Sequence, residues 1–195
     1  MEKSITNIKK IFIDGGAHKG EAIEMLLDKR EDLKGCDIHF FEPNPILISE
    51  LENISKKDKN YNIKVYHSAL WIKDGEIEFL ESIARWGSLG GTVIPSIEEK
   101  WGLKIDKKNP KKVPATSLPN FLDNFNDDDY IVVKLDIEGS EYFVIGELLR
   151  TGKINMINEL YVEWHDHFFP HLKSMGNELR DKLSKSDTKI NNDWV

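Results

Sequence analysis

Short runs of apolar residues alternate along the chain with segments of helical periodicity. Residues 11–13 are a continuous β-branched and aromatic run, which is typical of a strand buried on both faces of a sheet, and residues 38–41 are a second predicted strand. The strongest such run is YIVVKL at residues 130–135. The predicted strands are 11–13, 38–41, 63–66, 69–72, 76–80, 113–116, 130–135 and 159–162, with one further short strand in the tail after Lys185.

Segments with helical periodicity follow most of these strands. The predicted helices are 21–29, 45–51, 118–125, 141–150 and 172–185. Pro45 suits the first turn of its helix, because proline lacks the N–H that would be unpaired there. Ser117 and Ser140 directly precede two of the helices and are predicted to be their N-caps.

Two features in the middle of the chain stand apart from this alternation. Asp74 and Gly75 lie between two predicted strands and predict a β-hairpin. Residues 81–112 are a long irregular stretch with several glycines and prolines, and loops of this length are usually functional or mobile. Trp86 and Trp101 in this stretch either line a binding pocket or pack against the core of the loop itself.

The alternation predicts an α/β protein of Rossmann-like architecture, with a mostly parallel central sheet and helices on both faces. The 195 residues fit a single domain over 1–195, with a core of about 10–170 and a C-terminal helix and short tail over 171–195. Sheets of this kind bind ligands at the carboxyl ends of their strands, near the position where the strand order reverses. Functional residues are therefore expected in the loops that directly follow the strands.

Composition and charge narrow the choice of partner. The formal net charge of −7 argues against nucleic acid, since duplex-binding proteins concentrate positive charge. Cys36 is the only cysteine, which excludes a disulfide within the chain and fits a reducing compartment. The N-terminal residues are too polar for a signal peptide, and no apolar run approaches the ~20 residues of a membrane span. We therefore expect a cytoplasmic protein without a membrane span; its oligomeric state does not follow from the sequence.

The loop after the first predicted strand is rich in glycine. It reads DGGAHKG over residues 14–20 and leads into a predicted helix, whose N-terminus would offer free N–H groups to an anion. The dinucleotide-binding pattern fails because Ala17 occupies its middle glycine position, and the P-loop pattern fails because Glu21 follows Gly20. The loop suits a smaller anion, such as the amino-acid carboxylate of S-adenosylmethionine.

An acidic residue ends the second predicted strand. Glu42 lies 22 residues after Gly20, and an acid at about this interval is placed to accept hydrogen bonds from two ribose hydroxyls. Each signal is weak by itself, because an acid at a strand end is often structural and Asp14 could simply stabilise its own loop. The order of glycine loop and then acid at this interval nevertheless favours a cofactor that contains a ribose.

Four segments together resemble the FkbM-type methyltransferases. They are DGGAHKG at 14–20, FEPNP at 41–45, KLDIEGSE at 134–141 and EWH at 163–165, and the resemblance covers roughly residues 10–170. The KLDIEGSE segment is the most specific of the four, whereas the glycine loop is generic to many methyltransferases. His18 departs from the pattern of the family, which often has asparagine at this position.

The resemblance implies a class I methyltransferase fold and an enzyme that uses S-adenosyl-L-methionine to methylate a hydroxyl of a sugar, glycan or related small metabolite. Two alternatives on the same fold stay open: a nicotinamide-dependent oxidoreductase, against which Ala17 counts, and a non-catalytic nucleotide-binding module. The residues predicted to bind the cofactor are Asp14, Gly15, Gly16, Ala17, His18, Gly20, Glu42, Pro43, Ser68, Ala69 and Asp136.

Polar residues after the strands at 130–135 and 159–162 form the predicted catalytic set. His165 is assigned as the general base, because the ordinary pKa of histidine, about 6.5, suits proton transfer near neutrality. Asp136 is predicted to be an orienting or electrostatic partner, and Glu138 and Glu163 are predicted to hold the acceptor. Glu141 is interpreted as an acid in the first turn of the next helix, where the helix dipole favours a negative charge.

No closed set of metal ligands with convincing spacing is present in the sequence. His167 and His171 have helical spacing, but an intervening proline disfavours a regular helix between them. We therefore predict that the site holds no metal and that activity survives EDTA. The alternative is a Mg²⁺ ion bound by Asp136, Glu138 and Glu163, since this ion prefers carboxylate oxygens.

Overall fold

A computed structural model of the protein describes residues 8–83 and 90–191, which form two β-sheets and the helices around them. The strands are β1 (Lys10–Gly15), β2 (Asp37–Glu42), β3 (Asn62–His67), β4 (Ala69–Trp71), β5 (Gly75–Glu81), β6 (Gly91–Thr92), β7 (Lys111–Ser117), β8 (Tyr130–Leu135), β9 (Glu159–Val162) and β10 (Lys189–Asn191). The α-helices are α1 (Ala22–Met25), α2 (Pro45–Lys57), α3 (Leu118–Leu122), α4 (Glu141–Thr151) and α5 (Lys173–Leu183).

The main sheet has six strands in the order β10-β9-β8-β1-β2-β3, and every neighbouring pair is parallel. The chain runs outward from β1 through β2 to β3, and later runs outward in the other direction from β8 through β9 to β10. The strand order therefore reverses between β1 and β8, where Gly15 is level with Leu135. The prediction of a Rossmann-like α/β protein with a mostly parallel sheet is confirmed.

Side chains of β1 alternate between the two faces of this sheet. Ile11 and Ile13 belong to one buried cluster, which includes residues of α3, α4 and α5. Phe12 belongs to a second buried cluster, which includes residues of α1 and α2. Helices therefore cover both faces of the sheet, and this explains why its central strands are continuous apolar runs.

The second sheet shows that the predicted hairpin was wrong. Its strand order is β4-β7-β5-β6, so β4 and β5 do not pair with each other. β7 lies between them, because Ala115 is level with Ala69 in a parallel pairing and with Gly75 in an antiparallel pairing. Asp74 supports this arrangement by accepting a hydrogen bond from the backbone N–H of Ser117 at 2.8 Å. β7, which is distant in the sequence, therefore lies between the two strands that the turn at Asp74 and Gly75 was predicted to pair directly.

Several helix ends differ from the predicted ones. The helix predicted over 21–29 ends at Met25 and is followed by a 3₁₀ turn over Leu27–Lys29, in which Leu27 is buried in the core. Ser117 caps α3 as predicted. Ser140 stands at the N-cap position of α4, but its side chain makes no capping hydrogen bond. None of the helices in the described ranges could span a bilayer, since each is too short or too polar.

A buried ion pair ties β9 to the segment before β2. Arg30 donates to both carboxylate oxygens of Glu159, at 2.6 and 3.3 Å, and Tyr130 and Lys189 donate to the same carboxylate at 2.6 and 3.0 Å. Burial by itself would raise the pKa of Glu159, but these donors outweigh it and lower the pKa to about 2. Glu159 therefore stays ionised in the folded protein well below the pH at which an unfolded glutamate takes up a proton.

We expect Glu159→Gln to lower the free energy of unfolding by about 1.5–3 kcal/mol at pH 7, because it removes charge-assisted hydrogen bonds. A carboxylate with a lowered pKa stabilises the fold above its unfolded pKa of 4.5, and this contribution is lost as the pH falls from there toward 2. The difference between wild type and variant should therefore shrink over this interval. Urea unfolding at a series of pH values measures it.

Glu147→Gln is the control, because Glu147 pairs with Arg150 on the exposed surface of α4 at 2.6 Å. Its loss should change the free energy of unfolding far less than the loss of Glu159 does, because solvent screens the exposed pair. Equal losses in the Glu159 and Glu147 variants would contradict the role assigned to the buried pair.

Candidate active site

A cavity of about 400 Å³ opens at the carboxyl ends of β1, β2 and β8, where the strand order reverses. This volume lies within the usual range for small-ligand sites. The cavity is lined by nine of the predicted site residues: Gly16, Ala17, His18, Glu42, Pro43, Ala69, Asp136, Glu138 and Glu163. The lining does not include five others: Asp14, Gly15, Gly20, Ser68 and His165.

The glycine loop packs closely against the end of β8. Gly16 has a φ of +76°, and a Cβ atom at this position would lie 1.8 Å from the carbonyl oxygen of Asp136. A Cβ atom at Gly15 would lie 2.8 Å from the side chain of Leu70. Gly16 is therefore required for the packing of the loop itself, before any ligand is considered, whereas the end of the Leu70 side chain can shift to relieve the contact at Gly15.

Glu42 fastens two loops to each other. One carboxylate oxygen accepts the backbone N–H of His18 at 2.9 Å, and the other accepts the N–H of Asn44 at 2.8 Å. Burial raises the pKa of Glu42, and these two donors oppose that shift. His18 has a φ of +49°, in the left-handed region that asparagine and histidine adopt more often than most residues. Each oxygen of Glu42 keeps a second lone pair, so the residue can also accept hydrogen bonds from a ligand in the cavity.

A buried ion pair joins the ends of β1 and β8. Lys134 Nζ donates to Asp14 Oδ1 at 2.9 Å and to the carbonyl oxygen of Gly16 at 3.0 Å. The two side chains are 2% and 0% exposed. Burial by itself would lower the pKa of Lys134, but the charges of Asp14 and Asp136 raise it. Asp14 therefore holds the glycine loop from inside the protein and does not border the cavity.

Ser68 points toward the second sheet and away from the cavity. Its hydroxyl lies 2.7 Å from Thr116 Oγ1 and donates to the carbonyl oxygen of Pro114 at 3.1 Å, and both partners belong to β7. Ser68 thereby anchors the start of β4. The second sheet and the segment after it supply an apolar wall of the cavity, formed by Ala69, Leu70, Phe79 and Val93. Ala69 was predicted from the sequence, whereas the other three were not.

Three carboxylates and one histidine meet at the ends of β8 and β9, and we call Asp136, Glu138, Glu163 and His165 the acid corner. His165 Nε2 lies 3.7 Å from Asp136 Oδ1, 3.5 Å from Glu138 Oε2 and 4.0 Å from Glu163 Oε1. The structure therefore brings together the four residues that were predicted to be catalytic. The three carboxylates line the cavity, whereas the imidazole lies behind them and is 4% exposed.

Glu141 holds the acid corner together, a role that the sequence analysis missed. Its side chain is fully buried, and Oε1 accepts both the backbone N–H and the Nδ1–H of His165, at 3.2 and 3.1 Å. Its other oxygen accepts the N–H of Gly139 at 2.9 Å. Burial by itself would lower the pKa of His165, but Glu141 and the carboxylates of the acid corner raise it to about 10. The imidazole is therefore fixed with Nε2 directed at the acid corner.

Glu138 is held in an uncommon backbone conformation. Its φ is +52°, and its carbonyl oxygen accepts a hydrogen bond from Thr92 Oγ1 at 2.6 Å. At the next position, Gly139, a Cβ atom would lie 2.4 Å from the ring of Phe169. Burial raises the pKa of Glu138 to about 7 although His165 opposes the shift. The second sheet therefore helps to position the acid corner, because Thr92 belongs to β6.

The two tryptophans of the long loop have different outcomes. Trp86 lies outside the described residues. Trp101 is 79% exposed and does not line the cavity. Its ring packs against the rings of His167 and Phe168, with centroid distances of 5.3 and 5.7 Å. Trp101 therefore lies on an exposed aromatic cluster outside the cavity.

Comparison with known proteins agrees with this geometry. The family described as Methyltransferase FkbM domain matches residues 14–190 of the chain. Among solved structures, the crystal structure of methyltransferase FkbM from Methylobacillus flagellatus KT has a similar fold, with a TM-score of 0.54 and 16% sequence identity. The alignment covers 89% of this chain and 37% of that one, so this chain spans well under half of its relative. Among curated proteins, none matches this chain.

Gly16→Ala should destabilise the protein even without ligand, because the added methyl group meets the carbonyl oxygen of Asp136. Gly152→Ala is the matched control, since Gly152 has a φ of +71° but no atom within 4 Å of an added Cβ. We expect Gly152→Ala to lower the free energy of unfolding by ~1–2 kcal/mol through backbone strain. Gly16→Ala should lower it by a further ~1–3 kcal/mol. Urea unfolding measures both, and equal losses would show that the loop can move away from β8.

Proposed function

This chain belongs to the FkbM methyltransferase domain family, and we propose that it transfers a methyl group from S-adenosyl-L-methionine to a hydroxyl of a sugar, glycan or related small metabolite. One observation carries the proposal: the same cavity is lined by the glycine loop with Glu42 and by the carboxylates of the acid corner. The first set suits a cofactor that contains a ribose and an amino-acid group. The second set suits a polar acceptor.

The residues of the cavity fit this cofactor in chemistry and charge. The carboxylate of Glu42 would accept hydrogen bonds from the ribose hydroxyls, and the glycine loop between Gly16 and His18 would hold the amino-acid end. The apolar side chains of Leu70 and Phe79 offer a surface for the base. The carboxylates of the acid corner favour a positive charge, which the sulfonium carries.

When bound, the cofactor would supply an electrophilic methyl group, and its sulfur would keep the electron pair of the broken carbon–sulfur bond. The chain itself contributes alignment of the acceptor, which can lower the barrier by several kcal/mol in a rigid site. Asp136 keeps its predicted orienting and electrostatic role. Its Oδ2 lies 3.7 Å from Lys134 Nζ, and its Oδ1 lies 3.7 Å from His165 Nε2, so each oxygen faces a cationic group.

The proton of the acceptor hydroxyl must leave to a group that borders the cavity. The assignment of His165 as the base stays an untested prediction, and two observations favour another role for it. The imidazole lies behind the carboxylates, and a pKa of about 10 keeps it protonated near neutrality. We therefore assign the role of general base, which accepts the proton of the acceptor hydroxyl, to Glu163. Its half-buried carboxylate lines the cavity. Glu138 keeps its predicted role of holding the acceptor.

The protein should bind S-adenosylmethionine and S-adenosylhomocysteine, and not NAD, in isothermal titration. Glu42→Gln should weaken binding of S-adenosylmethionine by about 10–100-fold, because the loss of charge-assisted hydrogen bonds costs about 1.5–3 kcal/mol. Glu52→Gln on the exposed surface of α2 is the control and should leave the affinity unchanged. Thermal melting of each variant checks that it is folded.

Three results would contradict parts of this proposal. Binding of NAD instead of S-adenosylmethionine would favour the nicotinamide-dependent oxidoreductase. Binding of S-adenosylmethionine without turnover on a panel of sugar and glycan acceptors would favour the non-catalytic module. Unchanged affinity in a folded Glu42→Gln variant would remove Glu42 from the ribose site.

Glu163→Gln should reduce kcat by about 10²–10⁴-fold while binding of S-adenosylmethionine is retained, since an amide cannot accept the acceptor's proton. The measurement is transfer of a labelled methyl group under saturating cofactor, with Glu52→Gln again as the control. Normal turnover in Glu163→Gln would return the proton-accepting role to His165 or show that no base is needed.

A further inference from the structure

Three donor atoms converge in the acid corner at the spacing of metal ligands. One donor atom from each of Asp136, Glu138 and His165 lies within 4.8 Å of the other two. His165 Nε2 is 3.7 Å from Asp136 Oδ1 and 3.5 Å from Glu138 Oε2. Ligand atoms ~2.1 Å from a tetrahedral ion lie about 3.4 Å from one another. Small side-chain movements would therefore place all three atoms on one ion.

The position of His165 is a second and independent observation. The imidazole is buried and fixed through its other nitrogen, because Nδ1–H donates to Glu141 Oε1 at 3.1 Å. The backbone N–H of His165 donates to the same oxygen at 3.2 Å. A carboxylate that holds one imidazole nitrogen, so that the other nitrogen points into a site, is the usual support of a metal-bound histidine. Nε2 is thereby aimed between the two carboxylates, and an ion that displaces its proton would meet its lone pair there.

The charges of the acid corner also favour a cation. Asp136, Glu138, Glu163 and Glu141 surround His165, and Lys134 is the cationic side chain that approaches one of them, Asp136 Oδ2, at 3.7 Å. Lys134 also forms the ion pair with Asp14, as described above. Carboxylates that share a half-buried site repel one another, and a divalent ion removes that repulsion.

We propose that Asp136, Glu138 and His165 bind one divalent metal ion at the wall of the cavity. A site with three protein ligands keeps a position open for water or substrate, and both carboxylates line the cavity. One imidazole nitrogen with two carboxylates suits Mn²⁺, Fe²⁺ or Zn²⁺ better than Mg²⁺ or Ca²⁺. The proposal departs from the sequence-based prediction of a metal-free site. It also differs from the Mg²⁺ alternative, which used Glu163 and not His165.

The use of this ion rests on the proposed function, whereas its binding does not. An ion at this position would lower the pKa of an acceptor hydroxyl that reaches it. The O–H bond would then break, with its electron pair kept by the acceptor oxygen and its proton passed to Glu163. Asp136 and Glu138 would hold the acceptor through the ion.

Metal binding is tested on the full chain, freed of metal by a chelator and titrated with Mn²⁺ alone. We expect one site in isothermal titration and in the loss of the free-Mn²⁺ signal in electron paramagnetic resonance. Glu138→Gln and His165→Gln should each raise the Kd at least about tenfold. Glu163→Gln removes the same charge beside the site and should raise it by less than about fivefold. Glu21→Gln, which alters a carboxylate at the glycine loop, should leave it unchanged.

The proposal is overturned by absence of Mn²⁺ binding to folded wild type, or by equal losses in the ligand and control variants. If His165→Gln does not fold, the Kd of Glu138→Gln serves as the test, because Glu138 lines the cavity and its replacement disturbs the core less than that of the buried His165. The Mn²⁺ titration contains neither cofactor nor acceptor, so its result does not depend on the proposed function. Mn²⁺ binding by a protein that transfers no methyl group in a separate assay would contradict the proposed function and leave the metal site standing. Methyl transfer that persists in EDTA would contradict the use of the ion alone.

Discussion

The buried ion pair between Lys134 and Asp14 is the interaction on which the site depends. It joins the two strands between which the strand order reverses, and Lys134 also donates to the carbonyl oxygen of Gly16 at 3.0 Å. Breaking such a pair costs about 3–5 kcal/mol, because the remaining charge is buried without a partner. The glycine loop therefore cannot move away from β8 without a large loss of stability. The backbone of Asp136 is held at the same place, since its N–H donates to the carbonyl oxygen of Gly15 at 3.1 Å.

Two further buried carboxylates extend this rigidity around the cavity. Glu42 joins the loops after β1 and β2 through backbone N–H groups, and Glu141 joins the start of α4 to the end of β9. In both cases a charge that is costly to bury is satisfied by main-chain donors, so the loops are fixed by the requirement to keep those bonds. A site built in this way has its polar groups oriented before any ligand arrives, which is the arrangement that favours catalysis by alignment and electrostatics.

The parts of the fold that the sequence predicts correctly are those with a strong local signal. The run at 11–13 is apolar on both faces, and the run at 130–135 is mostly apolar apart from Lys134. A strand buried on both faces can be recognised from such a run without knowing its neighbours. The hairpin at Asp74 failed because Ala115 of a distant strand pairs with both sides of the turn. The same distinction applies to the site. The carboxylates at the strand ends could be predicted, because the carboxyl ends of parallel strands lie at one edge of the sheet. The hydrogen bonds of Glu141 with His165 and of Thr92 with Glu138 could not, because these partners are 24 and 46 residues apart in the sequence.

The proposed cofactor and metal ion would place two cations in one cavity, and the excess of carboxylates makes this arrangement consistent. A divalent ion and a sulfonium in one cavity would repel each other, and the repulsion would be strongest where water is excluded. Asp136, Glu138 and Glu163 border the space that both would occupy, and each attracts both cations. The same carboxylates raise the pKa of His165 when no ion is present, so that its imidazole binds a proton in place of a metal ion. The role of this histidine is therefore set by the acids around it, and the ordinary pKa of histidine does not predict it.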